Sequence, residues 1–580
     1  MATTSPTTPA TPHRAGLEAV ASKGWLAAHK WLLLRRVSQL GILALFLLGP
    51  LAGVWIVKGN LNFSYTLGVL PLTDLFVGAQ TLATGHVPQK LGLIGLAIVL
   101  AAYLVVGGRS YWRSTEVLQF RMPSEPTQRF APMVNIQQFY VEEFAHQAAQ
   151  QFGGLSQVRW GSRVVAVRPG ADSVQVDVDG PEGLQTLQAR YLVACDGGRS
   201  TVREQLGLQL QGTQYDGKYV IVDIVQKTRR PVERLAWFDP PSNPGSTLLM
   251  HRQPDDVWRI DYQIRDDEDP AEAVKPENVL PRVQSHLAMI GETEPWEPLW
   301  ISIYNAKCLT LDQYRHGRVL LAGDAAHLVP IFGVRGLNSG LDDAGNLAWK
   351  LARVLDGRAP DSLLDTYCTE RVHATRENIA YGAKSTEFMA PPDFAFRLMR
   401  EATLRLAVSD PQVRPLINPR QSAPVVYSGS ALNVPPVGHW AHDLAAPGAP
   451  APEALLAGPQ GPLHLTSLFG GDFVCLVFSD GAVPGAVKAL VNHGVGVLAI
   501  EPEADLHGQA RQRYGLVSPQ DTALVLVRPD GYVMGRWRGL DAAPVIAVNK
   551  PTDNRRGTVG GLLPGMETRL DKVEGIPNGG

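Results

Sequence analysis

GRVLLAGDAAHLVPIFGVRGLNSGLDDAGNLAWKLARVLDG, Gly317 to Gly357, packs a strand, a glycine loop and a helix into one run of sequence. Val319 to Ala322 form a short apolar run that Gly323-Asp324 closes, which predicts a buried strand ending in a turn. After a loop through Pro330, Gly333 and Gly336, the residues Leu337, Leu341, Ala344, Ala348, Leu351 and Leu355 recur at helical spacing.

A strand, a glycine loop and a helix N-terminus in that order carry a definite chemistry. Asp324 can accept hydrogen bonds from polyol hydroxyls, Gly333 and Gly336 permit close backbone approach, and the helix start near Asn338 faces negative charge. Such a loop suits a ribityl chain and an isoalloxazine carbonyl. His327, at the strand-to-loop junction, reads as a packed or hydrogen-bonded structural residue rather than a general base.

Upstream, ARYLVACDGGRSTVREQLG (Ala189 to Gly207) repeats the theme: a strand ends at Asp196-Gly197 and passes into a helix that begins near Ser200. Asp-Gly is a common turn pair, so this stretch gains its weight from the loop downstream. Arg163 to Gly170 and Ser173 to Gly180 alternate with period two and predict a β-meander. Tyr219 to Val225, Ser246 to Arg252 and Val257 to Ile264 predict an antiparallel sheet between the two loops. Tyr262, Trp237 and His251 are pocket candidates there, with core packing the stronger reading of each.

ACDGGRSTVR and the Gly317 stretch resemble the two downstream fingerprints of class A flavoprotein aromatic hydroxylases, of the phenol, resorcinol and 3-(3-hydroxyphenyl)propionate hydroxylase types. The resemblance implies FAD as cofactor, NADH or NADPH as electron donor, and a small aromatic substrate hydroxylated with O2. It implies Asp196, Gly197 and Arg199 near the pyrophosphates, Gly323 and Asp324 at the ribityl chain, and Pro330, Gly333, Gly336, Leu337 and Asn338 along the flavin ring. Ile331 stands where a second proline is usual, and Arg335 where Gln or another polar residue is. No catalytic residue and no metal ligand is assigned.

The family's opening strand, G-x-G-x-x-G and helix, which seats the ADP half of FAD, has no counterpart before Gly153. Instead two uncharged apolar runs, Val37 to Val57 and Leu91 to Val106, predict a transmembrane hairpin. Lys23, Lys30, Arg35 and Arg36 before it and Arg109 and Arg113 after it predict that both ends face the cytoplasm, with the body on the cytoplasmic side of the inner membrane. Residues 30 to 106 resemble the membrane region of ferredoxin-type quinol dehydrogenase subunits associated with periplasmic nitrate reductase. No cysteine-rich module follows, so only an anchor is carried over.

Beyond the Pro- and Ser-rich stretch from Pro415 to Pro436, the apolar strands Phe473 to Phe478, Val495 to Ile500 and Ala523 to Trp537 resemble the thioredoxin-like tail of phenol-hydroxylase relatives. Cys475 stands alone in a strand, so a structural role, with a homodimer as one assembly it would support, is preferred to dithiol chemistry. The whole chain, 580 residues with 45% hydrophobic and 19% charged residues and a formal net charge of -2, exceeds one core and has no electrostatic footprint for nucleic acid. The four cysteines lie too far apart for a metal loop.

The expected fold class is thus α/β (α+β): an incomplete FAD-binding Rossmann-like domain with an antiparallel substrate sheet, a C-terminal thioredoxin-like domain and an N-terminal transmembrane helical hairpin. The expected boundaries are a disordered tail at 1–30, the hairpin at 31–106, the monooxygenase-like domain at 107–415 with its substrate sheet at about 215–305, the thioredoxin-like domain at 432–545, and a tail at 546–580. The expected activity is FAD-dependent hydroxylation of a phenol. Its alternatives are a membrane-anchored remnant with weakened FAD binding and a flavin-dependent NAD(P)H oxidoreductase that does not hydroxylate.

Overall fold

Short alternating runs become strands wherever one side has an apolar partner to cover it, and the chain from Gly107 onward is built that way. The computed structural model describes residues 107–540, apart from 123–124, 126, 153–155, 331, 334, 418–423, 460 and 482, together with three short strands ahead of them. Those three, β1 (Val57–Gly59), β2 (Phe63–Thr66) and β3 (Leu70–Thr73), form an antiparallel meander between the two apolar runs. The runs themselves, except Val57, and both tails lie outside the described residues. Among the described residues no helix is long and apolar enough to cross a membrane.

Residues 1–103 with 138–157 make one unit, and 104–137 with 158–580 another. The first includes β1 to β3 and helix α1 (Gln138–Gln150).

The second unit opens with β4 (Gly107–Trp112) and β5 (Thr115–Arg121), then the expected meander β6 (Arg163–Pro169), β7 (Val174–Gly180) and β8 (Gly183–Ala189). There follow β9 (Leu192–Ala194), the short helix α2 (Thr201–Gln205), and β10 (Gln211–Gln226), β11 (Glu233–Phe238), β12 (Thr247–Arg252) and β13 (Val257–Gln263). Helix α3 (Pro276–Met289), β14 (Trp296–Thr310), β15 (Arg315–His316), β16 (Val319–Leu321) and β17 (His327–Leu328) complete this half. The helices α4 (Gly336–Leu355), α5 (Leu363–Met389) and α6 (Phe394–Ser409) lead to the C-terminal part.

The large sheet runs β17-β14-β10-β13-β12-β11-β4-β5, eight strands, so it extends beyond the expected 215–305 on both sides. One face buries Val220, Val222, Ile224, Met250, Trp258 and Ile260 against Val279, Val283 and Leu287 of α3. Apolar burial of this kind contributes about 25 cal/mol per Å² removed from water. The other face meets Phe332 and Met389 through Tyr219, Phe238 and Leu249.

A second sheet, β15-β16-β9, joins the two glycine loops, because β16 pairs in parallel with β9, Leu321 opposite Ala194. Among the described residues the far edge of β9 has no strand beside it. The C-terminal part contains a hairpin, β18 (Leu455–Gly458) with β19 (Gly461–His464), and the sheet β21 (Val495–Ile500), β20 (Phe473–Phe478), β22 (Ala523–Val527), β23 (Val533–Arg538). The neighbours β20 and β21 are parallel and the rest antiparallel. Cys475 lies inside β20, and burial pushes its thiol up to about 12.

Candidate active site

The turn after β9 needs a residue that accepts positive φ, and Gly197 takes it at +82°. Ser200 caps α2 by accepting from the Arg203 amide at 3.0 Å. Asp196 supports that cap: its carboxylate accepts from the Ser200 hydroxyl at 2.5 Å and from the Val202 amide at 3.1 Å. The Asp196 side chain is therefore engaged with its own helix start, while Arg199 stands exposed beside it.

After β16 the chain turns through Gly323, φ +58°, in a short 3-10 turn to Ala325. A Cβ built on Gly340 of α4 would lie 3.5 Å from the Gly323 Cα, so loop and helix approach closely. The two loops are tied together directly. Arg203 donates to the Gly198 carbonyl at 2.7 Å and to the Ala325 carbonyl at 3.0 Å, and the Ala322 amide donates to the Ala194 carbonyl at 3.0 Å.

Asp324 is exposed, and among the described residues its carboxylate accepts no hydrogen bond. Although the side chain is open to solvent, the loop around it displaces enough water to raise its carboxyl above the usual value, partly offset by His327. His327 is buried against Asp343, Nε2 to Oδ2 at 2.7 Å. The same Asp343 accepts from the Gly323 amide at 2.8 Å and from Arg371 Nε at 2.6 Å. Burial would raise the Asp343 carboxyl, but His327 and Arg371 outweigh it and hold it below its ordinary value. His327 thus fixes the loop from behind, as a structural residue does.

Pro330 and Phe332 are buried, and Gly333, at φ +95°, sits at the cavity wall. Arg335 is also buried; its guanidinium donates to Asn378 at 2.8 Å and lies over the Tyr381 ring. Gly336, Leu337 and Asn338 open α4, and Leu337 and Asn338 are exposed there. Asp324, the start of α4 and the Gly197 turn thus lie on adjoining loops, whereas Pro330 is buried. A free carboxylate beside two glycine turns fits polyol hydroxyls and the flavin end of FAD. Among the described residues no G-x-G-x-x-G turn between a strand and a helix is available for the ADP half.

A small cavity lies between the large sheet and the second loop, lined by Arg234, Ala236, Phe238, Leu249, His251 and Phe332 among others. Of the three pocket candidates, only His251 lines it. Trp237 stacks on Tyr111 at 5.1 Å, and Tyr262 is buried on the α3 face, so both are core. Sequence reading missed Arg234 and Asp261. The available signal was a charge within the short runs ERLAWF and VWRIDYQ, where alternation predicts which face each residue takes.

Residues 95–380 match the family model described as an FAD binding domain, and residues 444–552 the one described as the C-terminal part of aromatic-ring hydroxylases. The 3-(3-hydroxy-phenyl)propionate/3-hydroxycinnamic acid hydroxylase of Mycolicibacterium smegmatis is 32% identical over 258 residues, 44% of this chain and 45% of that protein. The chain spans about half the length of the curated relatives it first matches. Among solved structures, the flavin-dependent monooxygenase PieE in complex with FAD and substrate shares the fold, with a TM-score of 0.63 and 21% identity, over 81% of this chain and 95% of that one. The anhydrotetracycline hydroxylase OxyS of Streptomyces rimosus has a TM-score of 0.54 and 26% identity, over 81% and 87%. Over residues 95–380 and 444–552 this chain is therefore similar to the FAD-binding and C-terminal domains of aromatic-ring hydroxylases.

Proposed function

We propose that the chain is an FAD-dependent monooxygenase that hydroxylates a phenolic substrate with NADH or NADPH and O2. The observation that carries this reading is the locking of the two glycine loops by Arg203, with the open carboxylate of Asp324 on the second loop and a cavity against that loop.

FAD, when bound, supplies the transfer of reducing equivalents from the nicotinamide and of one oxygen atom to the ring. The protein's part is positioning and exclusion of water. Asp324 would accept from ribityl hydroxyls, and the amides at the start of α4 would face negative charge on the flavin ring. Phe238, Leu249 and Phe332 supply an apolar wall that keeps water from the reacting carbon. The Asp343 carboxylate keeps Gly323 and His327 in place, so the loop is held before any ligand arrives.

Membrane attachment through the runs at 37–57 and 91–106, with the body on the cytoplasmic side, belongs to this proposal and rests on sequence alone. Fractionation of expressing cells tests it: chain recovered in the wash at high salt would refute the anchor.

One observation favours a second reading, a fusion with weakened FAD binding: among the described residues the far edge of β9 has no strand beside it, and the apolar Leu337 and Leu341 of α4 are about half exposed. Substrate-dependent incorporation of labelled oxygen from O2 into a phenolic product separates the readings. Consumption of NADH without labelled product would leave only the non-hydroxylating oxidoreductase.

A further inference from the structure

A cation is out of place at the start of a helix, where the backbone dipoles already sum to partial positive charge. Arg335 stands there all the same: it holds the N-cap position of α4, its carbonyl accepting from the Ser339 amide at 2.9 Å. It is only 2% exposed, so its charge has also been taken out of water. Burial lowers the guanidinium below the usual arginine value, and Tyr381 partly offsets this.

The contacts of the side chain fix where that charge lies. The guanidinium donates to Asn378 Oδ1 of α5 at 2.8 Å, and its carbon lies 5.3 Å from the centre of the Tyr381 ring on the same helix. Asn378 in turn donates to the Ser339 hydroxyl at 3.1 Å, which ties the arrangement to the first turn of α4. Asn378 and Tyr381 meet the guanidinium with neutral groups, which orient the charge without cancelling it. Toward the loop the spacing is close as well. A Cβ built on Gly333 would lie 3.0 Å from Arg335 Nε, and one built on Gly382 of α5 would lie 2.6 Å from Pro330 Cγ. The cation is therefore pinned between α5 and the loop backbone, and Phe332 and Gly333 of that loop line the cavity.

Resting on the monooxygenase reading and deepening it, we infer that Arg335 is an electrostatic tuning residue, whose fixed positive charge behind the Gly333 turn raises the reduction potential of FAD seated against that loop. A hydride from the nicotinamide brings two electrons and one proton to an uncharged ring system and leaves it with one negative charge. A buried cation nearby favours that anion over the oxidised ring, and does so more strongly than an exposed one because little water screens it. The same anion offsets the cost of burying a cation at a helix start. Gln, usual at this position in the hydroxylases that the loop resembles, would bring no charge.

The midpoint potential of the FAD-loaded full chain tests this, read by anaerobic equilibration with a dye of known potential while the flavin spectrum is followed. Arg335→Gln is expected to shift the equilibrium about tenfold toward the oxidised form, about 30 mV for a two-electron couple, while Arg335→Lys stays within about twofold of the wild type. Asn378→Asp reaches the same charge from the other side. It keeps an acceptor for the guanidinium and neutralises it in place, so it should move the potential in the same direction even if Arg335→Gln fails to hold FAD. An equilibrium that Arg335→Gln and Asn378→Asp leave within about twofold of the wild type overturns the inference. So does an equal fall in Arg335→Lys and Arg335→Gln, which would mark a packing role. Purified chain that retains no flavin overturns the monooxygenase reading as well, whereas equal potentials in flavin-bearing protein overturn the tuning role alone.

Discussion

Glu370 shows how much a single buried carboxylate holds in place. It accepts from Arg528 at 2.7 and 2.9 Å, from Lys350 at 2.8 Å, from Asn346 at 2.7 Å and from Ser430 at 2.5 Å, all but fully enclosed. Burial alone would raise its carboxyl, but Arg528 and Lys350 outweigh it and hold it well below the usual range. Glu370→Gln would leave two buried cations with Asp530 as their nearest anion, and is expected to cost about 3 to 5 kcal/mol in urea unfolding. A loss below about 1 kcal/mol would mean that the network contributes little. Asp261 acts in the opposite sense. Its folded pKa of about 7 lies above the unfolded value near 4, so the folded state holds the extra proton between those limits. That contribution is present at low pH and is lost as pH rises through about 7, with Arg259, Arg234, Asp223 and His251 facing the group. Between pH 5 and 8 the wild type should lose on the order of 2 kcal/mol relative to Asp261→Asn. Parallel stability curves for the two proteins would contradict the burial of that carboxyl.

Helix α4 was legible as a helix but not in its orientation. Periodicity gives Leu337, Leu341, Ala344, Ala348, Leu351 and Leu355 as one stripe; the first four are exposed and the last two half-buried, Leu351 against the core, while the buried side carries Ser339, Asp343, Asn346, Leu347 and Lys350. The reason is that Asp343 and Lys350 find buried partners in Arg371, His327 and Glu370, so a polar face can go inside at no net charge. Leu341→Glu should therefore change stability by no more than about 0.5 kcal/mol, whereas Leu347→Ala should cost about 2 to 5 kcal/mol. The reverse order in thermal melts would turn the helix over. The sheet was legible in part for a similar reason. Alternation located β10, β12 and β13, but the row Asp223, Arg259, His251, Arg234 exists only through cross-strand register, which no single strand displays. The loops were the most legible pieces, because Gly197 and Gly323 occupy backbone conformations that few other residues accept.

The C-terminal part reaches the Gly323 loop through buried charge. Arg528, on the turn between β22 and β23, grips Glu370 of α5, and Tyr427 accepts from Arg371, which in turn holds Asp343 behind Gly323. A substitution in the C-terminal part should thus loosen a loop that it does not touch, and Arg528→Met is expected to speed hydrogen exchange at the Gly323 amide. On the proposed function, the Gly197 and Gly323 loops together seat FAD. Equilibrium dialysis of the purified full chain against FAD tests it most directly, with Asp324→Ala as the comparison. One FAD per chain is predicted, weakened by about 10- to 100-fold in Asp324→Ala. No saturable binding by the wild type, or affinity that Asp324→Ala leaves unchanged, would contradict it.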